Sequence, residues 1–507
     1  MSATVINALN FWSRTKPDFA AIDFDGAVLS YAELNTWVGC IASDLTTRGV
    51  GPGDRVGLVG ANSLEWCAAA LGAFAVGAVA APFNNRMVAR ELADLVEDCQ
   101  PSVVFADDAL KSRFDEVRSL RTGFEIATFE RDVRRLRGVG CEQWQPTVVE
   151  PDSATAIVFT SGSTGRPKGV VFTHRTIAGI AHEWALMEPM SAGNLRPLLV
   201  LPLFSAAGII WGIARTVLNG GTLLLQPRFD PTASLRVLIE CKPNTLTAPP
   251  IVFEQIAKVD GFESADLGHL STAHVGGARV PIDLLRTWLK RGVALRQLYG
   301  QTEIGGTATV TPAAEAALHP ESCGAGSIFT KVRVIDSAGK DCAPDQVGEI
   351  VLRGPGMMPG YWRNDEATSE AFIEGWLRTG DLGKLDKYGN LVFIDRLKDM
   401  IISGGLNIAP AEIEAVIQSV TGVDEVVVIG VPDQKFGETP AALIYASGNL
   451  SERSVIDHCN VHLADYKAPR YVVLCDEPLP RLASGKFAKP FLRTMYADIP
   501  ARYERVR

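Results

Sequence analysis

Residues 159–170 read Phe-Thr-Ser-Gly-Ser-Thr-Gly-Arg-Pro-Lys-Gly-Val, a stretch rich in glycine and hydroxyl side chains that contains Lys168. The segments before and after it, residues 156–159 and 169–173, have the apolar pattern of short buried strands. A loop of this composition between two strands offers backbone N–H groups, hydroxyls and a cation to a polyphosphate. It does not fit the Walker pattern, because Gly169 follows Lys168 where that pattern requires Ser or Thr. We interpret it as a phosphate-binding loop rather than an ordinary surface turn.

A second lysine, Lys486, lies near the C-terminus in the sequence Pro-Arg-Leu-Ala-Ser-Gly-Lys-Phe, residues 480–487. A cation on a separate part of the chain can neutralise the charge that develops when a carboxylate attacks the α-phosphate of ATP. The phosphate loop and this lysine together predict activation of a carboxylic acid by ATP.

Four further strings carry related chemistry: Tyr299-Gly-Gln-Thr-Glu303, His274-Val-Gly-Gly-Ala278, Trp376-Leu-Arg-Thr-Gly-Asp381 and Asp395-Arg-Leu-Lys-Asp399. With the loop at 159–170, their sequences and spacing resemble the adenylate-forming superfamily. That superfamily contains acyl-CoA synthetases, firefly luciferase and the adenylation domains of peptide synthetases. The resemblance runs from about residue 10 to the C-terminus. It implies ATP, Mg²⁺ and coenzyme A as cofactors or co-substrates.

The resemblance implies roles for single residues at the nucleotide. The ring of Tyr299 lies on adenine, Thr302 faces the α-phosphate, and Glu303 helps to hold Mg²⁺, which prefers oxygen ligands. Asp381 accepts hydrogen bonds from the ribose hydroxyls. The residues implied to bind the nucleotide are Thr160, Ser161, Gly162, Ser163, Thr164, Gly165, Lys168, Gly277, Ala278, Tyr299, Gly300, Asp381 and Arg396. Those implied to be catalytic are Lys486, Glu303, Thr302 and Asn407.

Apolar strand-like runs alternate with helical stretches over most of the first 390 residues or so, which predicts an α/β fold with βαβ sheets. Between about residues 331 and 353 the pattern changes to strands with little helix, as expected for a small β-barrel subdomain. We expect an N-terminal adenylate- and acyl-binding domain at 1–397 and a mobile α+β lid domain at 398–507. The resemblance makes Lys398 the pivot between them.

For a second half-reaction, residues 403–408 (Ser-Gly-Gly-Leu-Asn-Ile) resemble the turn that lines the tunnel for the thiol-bearing arm of coenzyme A. Adjacent glycines let such an arm pass close to the backbone. The residues implied to bind coenzyme A are Gly404, Gly405, Phe436, Arg86 and Lys467. Phe436 is expected to stack on the adenine, whereas exposed basic side chains such as Arg86 and Lys467 are often simply solvated.

The predicted acyl pocket departs from the superfamily pattern. Its residues are Phe204, Ser205, Ala206, Gly208, Trp211 and Gly276. Ser205 stands where most acyl-CoA ligases have histidine, and the small residues beside it predict room for a bulky, largely apolar acid. Leu406 stands where the family carries glutamate, and His274 and Arg279 are unusual in their segment. These departures leave the balance of the two half-reactions open, including a form in which adenylation is weakened and thioesterification predominates.

Composition favours a globular cytoplasmic enzyme. The chain is 47% hydrophobic, and because it has 507 residues we expect two or more domains. Its formal net charge of −9 disfavours a general nucleic-acid binder. The nine cysteines are scattered without a CxxC pair, as in a reducing compartment. His458 and His462 have the spacing of zinc ligands, but no third ligand motif accompanies them.

The N-terminus lacks the features of a secretory signal. Residues 66–83 form an uncharged apolar run near the length of a membrane span, but Gly77 divides it and it is rich in Ala and Gly. We therefore expect a buried α/β unit there and no membrane span.

Three other functions share these motifs. A loader of amino acids onto a carrier protein would need an acidic residue after Phe204, where this chain has Ser205. A luciferase-like oxygenase has the same nucleotide motifs, and a non-catalytic protein could retain an acyl-adenylate. We predict an AMP-forming acyl-CoA ligase acting on a small-molecule carboxylic acid or its adenylate. The identity of the acid, the acceptor and the oligomeric state, including a homodimer, stay open.

Overall fold

The computed structural model describes residues 3–140, 144–160, 167–188, 194–278, 280–404, 406–448, 450–481 and 486–506, without the side chain of Asn407. The chain forms two compact units. Unit 1 comprises Met1–Val332 and Leu352–Leu377, and unit 2 comprises Arg333–Val351 and Arg378–Arg507. The domain boundary predicted at Lys398 is the expected pivot of a motion, and it stays a prediction.

Unit 1 alternates helices and strands, as the sequence predicts. Its helices are α1 (Val5–Thr15), α2 (Tyr31–Thr47), α3 (Leu64–Ala75), α4 (Ala89–Cys99), α5 (Lys111–Leu120), α6 (His174–Met187), α7 (Arg215–Asn219), α8 (Pro231–Glu240), α9 (Pro250–Ala257), α10 (Ile282–Leu289) and α11 (Asp365–Glu370). Its strands are β1 (Ala20–Phe24), β2 (Ala27–Ser30), β3 (Arg55–Val59), β4 (Val79–Pro82), β5 (Val103–Ala106), β6 (Glu125–Thr128), β7 (Ala154–Thr160), β8 (Lys168–Thr173), β9 (Pro197–Leu199), β10 (Leu223–Leu225), β11 (Thr245–Ala248), β12 (Thr272–Gly276), β13 (Leu295–Tyr299) and β14 (Thr309–Val310).

These strands form two mainly parallel sheets. The first has the order β6-β5-β3-β4-β7-β8, with only β8 antiparallel to its neighbour. The second has the order β14-β13-β12-β11-β9-β10-β1-β2, with antiparallel strands at its two edges. Parallel strands need long crossover connections, and the intervening helices supply them. The predicted α/β fold class is confirmed.

The apolar run at 66–83 belongs to the core of unit 1. It is divided between α3 and β4, and every residue of both elements is buried. Ser63 caps α3 by accepting a hydrogen bond from the backbone N–H of Trp66. No helix in the described part of the chain has the length and apolar character needed to cross a membrane.

A sequence boundary of the two units falls within each of three strands: β15 (Lys331–Ile335), β16 (Gly348–Arg353) and β18 (Trp376–Leu385). With β17 (Phe372–Ile373) and β19 (Leu391–Arg396) they form one sheet, in the region predicted to be strand-rich. The rest of unit 2 contains β20 (Ile401–Ser403), β21 (Leu406–Ile408), α12 (Pro410–Gln418), β22 (Val423–Asp433), β23 (Gly437–Ala446), α13 (Glu452–His462), β24 (Tyr471–Cys475), α14 (Lys489–Met495) and α15 (Ile499–Arg502). Its sheet has the order β21-β20-β23-β22, with β24 parallel to β23.

His174, the first residue of α6, gives unit 1 a predicted pH dependence. It is buried, Nδ1 has no partner among the described residues, and burial lowers the pKa of the imidazole from 6.5 to about 4. The folded state therefore favours neutral His174. Above pH 6.5 this histidine does not lower the free energy of unfolding, and as the pH falls from 6.5 towards 4 the free energy of unfolding decreases, because the unfolded chain binds the proton more readily. We expect His174→Leu to remove about 3 kcal/mol of the acid-dependent loss in unfolding free energy. Chemical denaturation across this pH range measures it.

The matched control is His182→Leu, which changes an exposed histidine on the same helix. Wild type, His174→Leu and His182→Leu losing stability in parallel between neutral pH and pH 4 would contradict the assignment.

Candidate active site

The predicted phosphate loop connects two paired strands. β7 and β8 are antiparallel, and Thr160 lies opposite Lys168 where the hairpin begins and ends. The Thr160 hydroxyl donates to the carbonyl of Lys168 at 3.4 Å. The predicted loop residues Ser161, Gly162, Ser163, Thr164 and Gly165 lie outside the described residues.

Tyr361 connects Lys168 to Glu303. The ammonium of Lys168 lies 5.1 Å from the centroid of the Tyr361 ring, within range of a cation–π contact. The Tyr361 hydroxyl donates to Oε1 of Glu303 at 3.0 Å. Burial, with the nearby charge and hydrogen bond of Glu303, raises the pKa of Tyr361, so the phenol stays protonated as a donor. The structure thus places the loop lysine and the predicted metal-binding carboxylate beside one aromatic side chain.

Two parallel strands bring the glycine-rich strings to one edge of the second sheet. Gly276, at the end of β12, pairs with Leu298 of β13, one residue before Tyr299. Ligands of open α/β sheets commonly bind beyond the carboxyl ends of such strands. A Cβ on Gly300 would collide with the backbone of Gly306, so only glycine allows this close approach. Gly277, Ala278, Thr302 and Glu303 follow these strand ends directly.

The predicted acyl-pocket residues lie on a turn that leads into a π-helix, Ala207–Ala214. The Ser205 hydroxyl donates to the Pro202 carbonyl at 2.8 Å and accepts from the Gly208 N–H at 3.2 Å. Ser205 therefore stabilises the start of the helix. A Cβ on Gly208 would collide with Leu203 and the Pro202 carbonyl, so its missing side chain permits this turn.

Other residues of the predicted pocket differ in exposure. Phe204, Ser205 and Trp211 are partly exposed, whereas Ala206 is buried. The indole N–H of Trp211 donates to the carbonyl of Gly305 at 2.7 Å, which ties the helix to the turn after Glu303. The pocket assignment itself stays a prediction.

In unit 2, the predicted ribose residues face each other. Asp381 of β18 pairs with Arg396 of β19, and Nε of Arg396 lies 3.6 Å from the Asp381 carboxylate. The next residues form the predicted pivot, where burial and the Arg396 charge lower the pKa of Lys398. Arg493 of α14 forms an ion pair with Asp399 at 3.1 Å and reaches the carbonyls of Lys398 and Asp399.

The predicted coenzyme A residues are only partly brought together. Gly404 has φ +59°, donates its N–H to the Phe436 carbonyl at 2.8 Å, and leaves no room for a Cβ beside the Phe436 ring. The guanidinium of Arg470 covers that ring at 4.1 Å from its centroid. Lys467 forms an ion pair with Glu412 at 2.7 Å.

Four sequence-predicted site residues remain: Arg86, Gly405, Asn407 and Lys486. Arg86 is exposed in unit 1. Gly405 and the side chain of Asn407 lie outside the described residues. Lys486 is partly buried and lies in the segment that leads into α14. The described residues contain no group of three or more His, Cys, Asp or Glu side chains arranged to hold a metal ion.

Sequence reasoning missed Tyr361 and Arg493. The segment around Tyr361 pairs with β8: the Trp362 N–H donates to the Gly169 carbonyl at 2.7 Å, and the Val171 N–H donates to the Gly360 carbonyl at 3.3 Å. Such pairing between distant parts of the chain leaves no local signal in periodicity or composition.

Comparison with known proteins agrees with this geometry. The family model described as "AMP-binding enzyme" matches residues 9–362, and "AMP-binding enzyme C-terminal domain" matches residues 412–486. The long-chain-fatty-acid–CoA ligase FadD13 of Mycobacterium tuberculosis is 36% identical over 93% of this chain and 94% of its own length. The feruloyl-CoA synthase of an Amycolatopsis species is 36% identical over 96% of this chain and 97% of its own length. The ATP-bound structure of MatB from Rhodopseudomonas palustris superposes with a TM-score of 0.90, at 29% identity over 98% of this chain and 100% of that one.

The fold and these matches define an adenylate-forming enzyme of the acid–thiol ligase class. The chain belongs to the family of AMP-binding enzymes, and the resemblance read from its sequence is confirmed.

The two hydrogen bonds of Ser205 give a stability prediction. Ser205→Ala should lower the free energy of unfolding by about 1 kcal/mol, because a helix-capping hydroxyl is lost. Ser205→Thr keeps a hydroxyl and should retain most of that stability. Urea denaturation of the three proteins tests this, and equal stability of the alanine variant and wild type would contradict the capping role.

Proposed function

We propose that this chain is an AMP-forming acyl-CoA ligase which couples a bulky, largely apolar carboxylic acid to coenzyme A through an acyl-adenylate. The observation that carries the proposal is the connection from Lys168 through Tyr361 to Glu303, beside the strand ends that bear Gly276 and Tyr299. Lys168 begins β8 of the first sheet and Glu303 follows β13 of the second. A cation, a phenol and a carboxylate brought together from these strand ends suit a bound nucleoside triphosphate. The relatives named as a fatty-acid ligase and a feruloyl-CoA synthase support the reaction class.

In the first half-reaction, a carboxylate oxygen of the acid attacks the α-phosphorus of ATP, an acyl-adenylate forms, and pyrophosphate leaves. Lys168 holds phosphate oxygens, Thr302 faces the α-phosphate, and Lys486 offsets the developing negative charge. Glu303 fits a hard divalent cation, because an ionised carboxylate is a suitable oxygen ligand. When bound with ATP, Mg²⁺ supplies charge neutralisation on the phosphates.

In the second half-reaction, the sulfur of the coenzyme A thiol attacks the acyl carbonyl, a thioester forms, and AMP leaves as the thiol loses its proton. We assign Asp381 and Arg396 to the ribose and Gly404 to the passage of the thiol arm. Phe436 is our candidate for the adenine of coenzyme A. Lys398 is the proposed pivot of unit 2 between the two steps.

A second candidate function follows from Ser205. Its hydroxyl is used within the turn, so it offers the adenylate less than the histidine of other acyl-CoA ligases. In this alternative, adenylation is weak and the enzyme mainly converts a presented acyl-adenylate to its thioester. Pyrophosphate release from acid and ATP, compared with thioester formation from synthetic adenylate over a panel of acids, distinguishes the two. A cytoplasmic location and a homodimer remain proposals from the sequence.

Lys486→Ala should lower the rate of adenylation by about 10²–10³, the scale for removing one preorganised charge-stabilising group. Thioester formation from synthetic adenylate should fall much less. Pyrophosphate exchange and single-turnover thioester formation measure the two steps. Lys387→Ala, which removes an exposed lysine of the same unit, is the control. Equal losses in both half-reactions would remove Lys486 from the first step.

Tyr361→Phe should lower adenylation by roughly tenfold, because the hydrogen bond that orients the Glu303 carboxylate is lost while the ring beside Lys168 stays. The Mg²⁺ concentration for half-maximal rate should rise, and thioester formation should change little. Tyr388→Phe, at a side chain that is 75% exposed, is the control. An unchanged Mg²⁺ dependence would mean that the hydrogen bond does not position Glu303.

A further inference from the structure

A buried polar cluster surrounds Glu188, which directly follows α6. Thr272 donates to Oε2 of Glu188 at 3.3 Å, Arg296 forms an ion pair with Oε1, and Nε2 of His274 lies 3.5 Å from Oε1. Burial favours the neutral acid, but the neighbouring His274 and Arg296 side chains bring the pKa of Glu188 to about 2. The carboxylate is therefore ionised, and both of its oxygens are engaged.

Arg215, the first residue of α7, is the member of this region that the carboxylate does not neutralise. It is 6% exposed, and its Nε is buried without a hydrogen-bond partner among the described residues. Burial lowers the pKa of Arg215 to about 10, against the attraction of Glu188, so it stays charged at neutral pH. With Arg296 already paired to Glu188, the region keeps a surplus positive charge. Buried charges in proteins are ordinarily paired.

Aromatic side chains place this charge behind the predicted acyl pocket. Trp211, a partly exposed residue of the predicted pocket, precedes Arg215 by four positions, and its ring centroid lies 5.2 Å from the guanidinium carbon. Trp184 contacts both Trp211 and His274, with ring centroids at 5.3 and 5.5 Å. The helix face that begins with the small residues at 205–208 therefore leads past Trp211 to an enclosed arginine.

We propose that Arg215 is a specificity-determining residue which binds a hydrogen-bond-accepting oxygen, a ketone or a carboxylate, at the distal end of the acid. The inference rests on the proposed ligase function and narrows its substrate class to bulky, largely apolar acids with one such oxygen. A wholly apolar acid leaves the buried Nε–H of Arg215 without an acceptor, whereas a distal oxygen satisfies it. A hydrogen bond to a charged group corresponds to a preference of about 10- to 100-fold.

The experiment uses the full chain and matched acids. Cyclohexyl-substituted acids of several chain lengths are compared with their ring-oxo and ring-carboxy derivatives, by pyrophosphate exchange and by coenzyme A thioester formation. Wild type should prefer one of the oxygen-bearing acids by at least about tenfold in kcat/KM. Arg215→Met should abolish that preference and keep or improve turnover of the unsubstituted acid. A preference for the ring-oxo acid identifies a ketone as the distal group that Arg215 binds, and a preference for the ring-carboxy acid identifies a carboxylate.

Stability and a control variant separate recognition from a structural role. Arg215→Met should be as stable as wild type or more stable, because an unpaired buried charge is replaced by an apolar side chain of similar length. Arg215→Lys should retain part of the preference for the carboxylate. Arg236→Met removes an exposed arginine of α8 and should leave the whole acid profile unchanged.

Two results overturn the inference: a uniform loss of turnover for all acids in Arg215→Met with lower stability, or an acid preference that the substitution does not change. Absence of turnover with every acid and wild type would instead refute the proposed function. In that case, thermal shifts with each acid in the presence of ATP still test Arg215. A larger shift with oxygen-bearing acids that Arg215→Met abolishes supports the inference, and shifts independent of that substitution overturn it.

Discussion

The hydrogen bonds between β8 and the segment around Tyr361 are the constraint on which the proposed nucleotide site of unit 1 depends. The Trp362 N–H donates to the carbonyl of Gly169, which is the residue after Lys168. This hydrogen bond fixes the backbone next to Tyr361 beside the backbone next to Lys168. From that position the phenol reaches Glu303, whose own carbonyl accepts from the Met358 N–H at 2.8 Å. Three distant parts of the sequence thus meet through backbone hydrogen bonds, which are less sensitive to side-chain substitution than a purely side-chain network. The lysine, the phenol and the carboxylate are thereby preorganised, which suits their proposed roles, because electrostatic catalysis depends largely on preorganised groups.

Unit 2 has a comparable connection of its own. Arg493 joins α14 to Asp399, and Lys489 at the start of the same helix forms an ion pair with Glu414 of α12 at 2.9 Å. The segment that bears Lys486 leads directly into this helix. A change of backbone angles near Lys398 would therefore move the anchor of the Lys486 segment as well. The helix that follows the predicted catalytic lysine is thus joined by an ion pair to the residue beside the predicted pivot, which suits a lysine needed in only one of two steps.

Much of the fold followed from local pattern, whereas the non-local contacts of the site did not. The βαβ alternation, the strands on either side of the phosphate loop and the assignment of 66–83 to the core were all predictable, because apolar periodicity reports burial directly. Tyr361 was not predictable in this way, since its role arises from strand pairing between distant segments. Gly208 shows a related limit of local pattern: its lack of a side chain predicts pocket volume, and the structure adds a second reason for glycine, because a Cβ there would collide with the backbone of Leu203. Sequence shows that a side chain is small and does not show which neighbour requires it.

Arg215 presents the opposite problem. In sequence it ends the apolar run Ala-Gly-Ile-Ile-Trp-Gly-Ile-Ala, residues 207–214, where an arginine ordinarily marks the return of a helix to solvent. The structure instead encloses it among Trp211 and the cluster around Glu188. Enclosing an arginine without an acceptor lowers stability, and an apolar residue of similar length would avoid that cost. If residue 215 served only to pack the fold, an apolar side chain would serve better than a charged one. A pocket that must distinguish acids by a distal oxygen does, because leaving a buried donor unsatisfied by the wrong substrate discriminates more strongly than any fit of apolar shape.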